Sequence, residues 1–141
     1  MEEWEYKMIF ELEEFKLEKI ESKDLNKILE IYNSNGEFLI NHMDKSVVTE
    51  EWIIQELKYM EEMDFKSCKI VERHTENILG IIDFKIDEET YLSLLMIHKD
   101  FQGNGLGHII YQGFEEYIES LKGKSIRIDV VTNYDSSVLK F

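Results

Sequence analysis

The sequence predicts an α/β (α+β) fold, a mixed central sheet flanked by helices, in one domain. Three observations carry that expectation. Ile78–Ile86, with every second residue on one face, and Tyr91–His98, which holds the apolar run Leu94–Ile97 before a polar turn, read as strands. Apolar residues recur at helical spacing in Leu25, Ile28, Leu29 and Tyr32, and again in Leu106, Ile109, Ile110, Phe114, Tyr117, Ile118 and Leu121. Between the second strand and the last helix stand three glycines at alternate positions, Gly103, Gly105 and Gly107.

Taken in order, Tyr6, Met8, Phe10 and Leu12 alternate with polar neighbours and predict a strand. Phe15 and Leu17 resume the alternation out of phase, which predicts a bulge near Glu13-Glu14. Ser22 is placed to cap the first helix, and Asn33-Ser34-Asn35-Gly36 ends it. Phe38–Val48 reads as an irregular connection. Thr49 caps a second helix whose first turn holds Glu50 and Glu51 and whose apolar stripe is Trp52, Ile53, Leu57 and Met60. A hairpin follows: Phe65–Glu72, a turn at Thr75-Glu76-Asn77, then Ile78–Ile86 with Ile78, Gly80, Ile82, Phe84 and Ile86 on one face. After Asp87-Glu88-Glu89-Thr90 comes the strand Tyr91–His98 that runs into the glycines. The long helix is followed by a strand at Ser125–Val131, a loop at Asn133-Tyr134-Asp135 and the first turn of a helix at Ser136–Phe141. The order is β-α-α-β-β-β-α-β-(start of α).

Length and composition bound the function. One domain of 141 residues can bury a core, and 43% hydrophobic residues fit a globular chain. Thirty acidic residues against 16 basic give a net charge of −14. Such a surface repels nucleic acid and anionic membranes; it either tolerates or attracts cationic partners, amines among them, or only aids solubility. The single cysteine, Cys68, allows no intrachain disulfide. The acidic start lacks a leader's basic and apolar parts, and no apolar run is long enough to span a bilayer. A cytoplasmic location is expected. The four histidines and one cysteine show no metal-ligand spacing, so no metal is expected.

The glycines stand where a helix begins. First-turn N–H groups have no partner inside a helix, the macrodipole adds partial positive charge, and glycine leaves the backbone bare. Together these suit a phosphate or pyrophosphate. A Walker loop is excluded, because His108-Ile109 follows Gly107 in place of Lys-Ser or Lys-Thr. A dinucleotide fingerprint is disfavoured, because His108 stands where its third small residue belongs and antiparallel strands precede the glycines.

The stretch Gln102-Gly103-Asn104-Gly105-Leu106-Gly107, preceded by an apolar strand, resembles the acyl-CoA-binding motif of the GCN5-related N-acetyltransferases (GNAT family). The element order agrees with that family's over nearly the whole chain. The resemblance implies an acetyl-CoA-dependent N-acyltransferase that moves an acetyl group to a primary amine by direct attack in a ternary complex. It implies that the strand ending at Ile97 splays from its neighbour around a bulge. The main chain of Leu95 and Ile97 would pair with the pantetheine arm. A backbone N–H near Met96 or Ile97 would face the developing oxyanion. The N–H groups of Gln102, Gly103, Asn104, Gly105, Leu106 and Gly107 would take the pyrophosphate, and Asn133 would reach the pantetheine from the far side. Lys99 would help draw in the anionic carrier.

The catalytic base is not identified by the motif. Some family members carry a glutamate where this chain has Tyr91, a candidate whose plainer reading is a structural aromatic in a strand. Asp83, a carboxylate in an apolar strand, is a candidate base or amine ligand, against the bland alternative of an outward-facing solvated aspartate. Ser93 and His98 are weaker candidates. His98 is placed to cap the turn it opens, His108 to sit beside the pyrophosphate or in solvent, and His42 and His74 to lie in loops. The family normally completes a fourth helix, often carrying a tyrosine acid, and two further strands. Here Phe141 stands near that tyrosine's place and Tyr134 comes too early. The domain therefore reads as 1–141, acetyltransferase-like and C-terminally short, expected to be incomplete as an enzyme or completed by a homodimer that extends the sheet. The partner would be a small-molecule amine or a protein amino group. The competing reading is a non-catalytic CoA-binding or regulatory module of the same fold.

Overall fold

A computed structural model of the chain describes residues 8–87, 89–121 and 126–128. The elements are β1 (Met8–Glu11), β2 (Phe15–Lys19), α1 (Leu25–Ser34), α2 (Gly36–Met43), α3 (Glu50–Glu62), β3 (Lys66–Glu72), β4 (Ile78–Lys85), β5 (Thr90–Ile97), α4 (Leu106–Ser120) and β6 (Ile126–Ile128). The strands form one six-stranded sheet in chain order, β1-β2-β3-β4-β5-β6. Neighbours from β1 to β5 are antiparallel, and β5 pairs with β6 in parallel. The mixed α/β architecture expected from the sequence is present.

Alternation along the strands divides the core into two layers. On one face Leu17, Cys68, Ile70, Ile82, Phe84 and Leu92 pack under Leu106, Ile110, Phe114 and Ile118 of α4. On the other, Ile20, Ile81 and Met96 pack under Ile28, Ile31 and Tyr32 of α1, Phe38 and Leu39 of α2, and Ile53 of α3. Thr49 caps α3 as expected, its hydroxyl accepting the Trp52 N–H at 3.2 Å. The thiol of Cys68 is fully buried, and burial pushes its pKa well up.

Several expectations change. The phase shift at Glu13-Glu14 is a chain reversal, not a bulge: β1 and β2 form a hairpin with Glu11 opposite Lys16. Its turn is closed by the Leu12 N–H to the Phe15 carbonyl at 2.7 Å, and Arg73 binds it through the Leu12 carbonyl and the Glu11 carboxylate. Leu12 then packs against the α4 layer. The stretch taken as irregular holds α2, because Phe38 and Leu39 bury beside α1 and reward a second helix directly after Asn35. His42 therefore lies in a helix, against the Phe38 ring. Ser22 does not cap α1; it opens a short 3-10 turn, and the Asp24 carboxylate accepts the Glu21 N–H at 2.8 Å. Ile78 faces α1–α3 rather than α4, because the β3–β4 register slips at Leu79. Ile109 is exposed on α4.

Candidate functional site

Strand β5 carries the site's backbone. Its register with β4 runs Asp83↔Leu94 and then Phe84↔Leu92, so Ser93 is an extra residue, a bulge with an exposed side chain. Its parallel register with β6 covers Thr90, Tyr91 and Leu92 only. Among the described residues, Ser93–Ile97 have β4 as their only strand neighbour. The bulge implied by the resemblance is thus present at Ser93, and the splay falls beside residues outside those described. The side chains of Leu95, Met96 and Ile97 are buried in the two core layers, so only their main chain is available for chemistry.

Beyond Ile97 the chain makes a 3-10 turn, Lys99–Phe101, and then the glycine loop. The Gly103 and Gly105 φ angles are +87° and +79°, the left-handed region that L side chains rarely adopt. A Cβ at either would meet nothing within 4 Å, so both backbones face open space. Gly105 is the N-cap of α4, and the first bonded helix amide is Ile109, 3.1 Å from the Gly105 carbonyl. The N–H groups of Leu106, Gly107 and His108 have no partner inside the helix. Asn104 and His108 are exposed, and Leu106 and Gly107 are buried at the helix start.

Gln102 contributes more than an amide. Its Nε2 donates to the Asn35 Oδ1 at 2.7 Å and to the Ile97 carbonyl at 2.8 Å. The end of α1 holds the rest of the turn. Ser34 Oγ accepts the Lys99 N–H at 3.1 Å, and Glu30 lies 3.2 Å from His98 Nε2. His98 Nδ1 accepts the Asp100 N–H at 3.0 Å, so His98 does cap the turn. Glu30, Ser34 and Asn35 were not singled out in the sequence, where Asn33-Ser34-Asn35-Gly36 signals only a helix end. A polar residue that is 8% exposed between two helices, as Asn35 is, becomes visible only in three dimensions.

Asp83 is not a solvated aspartate. It is 3% exposed, on the face under α1 and α3, because the β3–β4 register sets it across from Ser67 inside the core layer. Its Oδ1 and the Ser67 Oγ are both buried without a hydrogen-bond partner. They line a small cavity of about 10 Å³ with Tyr32, Glu56, Leu57, Met60 and neighbouring apolar side chains. That is room for about one water. Burial pushes the Asp83 pKa up to about 7; the nearby Ser67 hydroxyl opposes this and the Glu56 charge adds to it. Burial raises Tyr32 as well, with the Asp83 charge adding to the effect. Tyr91 lies at the far end of β5, half-buried, in register with Lys85 and Arg127. The structure thus separates the two candidates: Asp83 sits across from Leu94, beside the bulge, and Tyr91 on the other side of it. Asn133 lies outside the described residues. Among the described residues no group of His, Cys, Asp or Glu is arranged to hold a metal, and no helix is long and apolar enough to cross a membrane.

These features are those of an acyltransferase scaffold, and comparison with known proteins agrees. The sequence model described as "Acetyltransferase (GNAT) domain" matches residues 11–136. The chain belongs to the GNAT acetyltransferase family. Among solved structures, an acetyltransferase from Thermus thermophilus aligns with a TM-score of 0.69 at 21% identity, covering 90% of this chain and 82% of that one. A GNAT family acetyltransferase from Staphylococcus aureus aligns at 0.63 and 16% identity, covering 86% and 92%. The PaiA N-acetyltransferase from Thermoplasma acidophilum, solved in complex with coenzyme A, aligns at 0.62 and 13% identity, covering 86% and 82%. At these identities the likeness is one of fold. No curated protein searched is similar enough in sequence to count as a match.

Proposed function

We propose that this chain transfers an acetyl group from acetyl-CoA to a primary amine. The observation that carries the reading is the glycine loop: two left-handed glycines facing open space, at the N-terminus of α4, one short turn after a bulged strand. That arrangement fits the carrier. Its pyrophosphate is an anion of the kind that helix N-terminal amides bind. The complex of the structurally similar PaiA enzyme with coenzyme A supports the same reading.

The roles follow from position. The N–H groups from Gln102 to Gly107 hold the diphosphate, and Lys99, exposed beside them, offsets the overall negative charge. The main chain of Leu95 and Ile97 orients the extended arm along β5. A β5 N–H at Met96 or Ile97 donates to the carbonyl oxygen as charge develops there. When bound, the carrier supplies the thioester carbon that the amine nitrogen attacks, with the C–S bond breaking as the C–N bond forms. The amine must give up a proton. Asp83, one strand from β5 and with a pKa of about 7, is the carboxylate suited to take it through the single water its cavity can hold. The −14 net charge favours a cationic acceptor.

Calorimetric titration with acetyl-CoA tests the binding step, with Gly105→Asp as the discriminating variant. The site has room for the new side chain, so the expected loss of affinity comes from a carboxylate in the diphosphate's place. Unchanged affinity would overturn the loop assignment. Thiol release across a panel of primary amines tests transfer itself and separates it from a binding-only role.

A further inference from the structure

The glycine loop does not stand alone; it hangs from the end of α1. Three groups of the β5–α4 connection are gripped by that end: His98 by Glu30, the Lys99 amide by Ser34, and Gln102 by Asn35. Asn35 is the hub. It is 8% exposed and lies between α1 and α2. Its Oδ1 accepts from Gln102 Nε2 at 2.7 Å. Its Nδ2 is 3.2 Å from the Ile97 carbonyl and 3.0 Å from the Ile31 carbonyl. Gln102 Nε2 returns to the same Ile97 carbonyl at 2.8 Å. One carbonyl at the end of β5 is therefore held by two side-chain amides that also hold each other.

We propose that Asn35 is a positioning residue for the carrier-binding loop. Through Gln102 and the Ile97 carbonyl it fixes where β5 stops and where the bare amides of Gly103–Gly107 begin. Helix-start amides bind an anion well only if they are already aimed at it, because ordering a loop on binding subtracts from affinity. Asn35 also begins the backbone bond into α2, its carbonyl accepting the Leu39 N–H at 3.1 Å. A shift at the α1–α2 junction is thereby passed to the loop by direct hydrogen bonds. The inference rests on the loop's proposed role for its consequence in catalysis, but not for its structural content.

A neighbouring residue supplies the control. Asn33, two positions earlier, pins Val48 through both ends of its amide, at 2.8 and 3.1 Å, and does not take part in the loop's hydrogen bonds. Asn35→Ala removes a buried asparagine and Asn33→Ala a half-buried one, and both lower thermal stability. Only Asn35→Ala should change the loop. In the unliganded protein, NMR should show the Gln102 side-chain amide moving to a free-amide position and the amides of residues 99–107 losing order in Asn35→Ala and not in Asn33→Ala. An unaltered Gln102 signal and loop in Asn35→Ala would overturn the proposal whether or not acetyl-CoA binds. With acetyl-CoA, Asn35→Ala should weaken affinity about tenfold and raise KM with kcat at saturation nearly unchanged. Asn35→Ala and Gln102→Ala combined should lose little more than either alone, because both act on one network. Fully additive losses, or equal losses in Asn33→Ala, would also overturn it. If the wild-type protein fails to bind acetyl-CoA, the proposed function falls, and the loop measurements still decide this inference.

Discussion

The α4 face of the sheet is apolar from Phe15 to Ile97 apart from the buried Thr90, whereas the face under α1 and α3 buries Glu18, Asp24, Lys69, Ser67 and Asp83 among its hydrophobic side chains. The first face is a packed layer whose stability comes from removing apolar area from water. The second is a layer in which charge must be balanced inside the protein. Lys69, 5% exposed at its side chain, lies 2.7 Å from Asp24 and 4.0 Å from Glu18. Asp83 has no comparable partner, and its carboxyl responds by holding its proton to about pH 7. One face thus fixes the strand positions, and the other carries the groups whose protonation can change. The candidate acid–base residue belongs to the second.

The largest test of this contrast is at Lys69. Replacing it by Met keeps the apolar stem and leaves the buried Asp24 carboxylate without its cation. The expected loss is about 3–5 kcal/mol, the usual result of removing one partner of a buried ion pair. Chemical denaturation would measure it. A loss near zero would show that the polar face is wet enough to tolerate an unpaired charge, and the two faces would then differ less than their burial indicates.

Asp83 tests the same face through pH. Its folded pKa is raised from 3.8 to about 7, so between those values the folded state holds a proton that the unfolded chain has released. Stability therefore falls as pH rises through that window, the reverse of a salt-bridged carboxylate. The loss reaches up to about 4 kcal/mol above pH 7, at about 1.4 kcal/mol per pKa unit. Asp83→Asn should flatten most of the decline and be the more stable form above pH 7. Glu56, also raised by burial, keeps a remainder. Parallel stability curves for the two proteins would show that Asp83 is solvated after all.

The same division explains what could be read in the chain beforehand. Strands β3–β5, helices α1, α3 and α4, and the glycine loop were legible because each has a local signal: alternation, a 3.6-residue stripe, Thr49 as a cap, or Gly103 and Gly105 at a helix start. The β1–β2 hairpin was not, because a tight reversal at Glu13-Glu14 and a bulge both shift the alternation by one residue. Helix α2 was hidden because its eight residues, Gly36–Met43, bury only Phe38 and Leu39. In the site, the glycine turn at the helix start was legible and the side-chain contacts around it were not. Asn35 meets Gln102 across 67 positions, and Asp83 is buried by helices far from it in sequence. Such contacts depend on tertiary register, which no local pattern encodes.

The apolar face has its own, smaller test in two glycines that admit close neighbours. At Gly80 on β4 an added Cβ would stand 2.5 Å from the Met96 carbonyl oxygen, a backbone atom of the adjacent strand. At Gly113 on α4 it would stand 2.3 Å from Leu12 Cδ2, the end of a side chain in the β1–β2 turn. Backbone inside a sheet cannot withdraw without breaking ladder bonds, while a leucine at a surface turn can change rotamer. Gly80→Ala should therefore cost about 1–3 kcal/mol, as overpacking does. Gly113→Ala should cost less, because alanine's better helix propensity returns up to about 1 kcal/mol. Thermal unfolding of both variants measures the order. Since Gly80 lies opposite Ile97, Gly80→Ala should also disturb the Gln102 side-chain amide, whereas Gly113→Ala should leave it in place. The reverse order would mean that the hairpin turn, and not the β4–β5 ladder, is the stiffer side of the α4 layer.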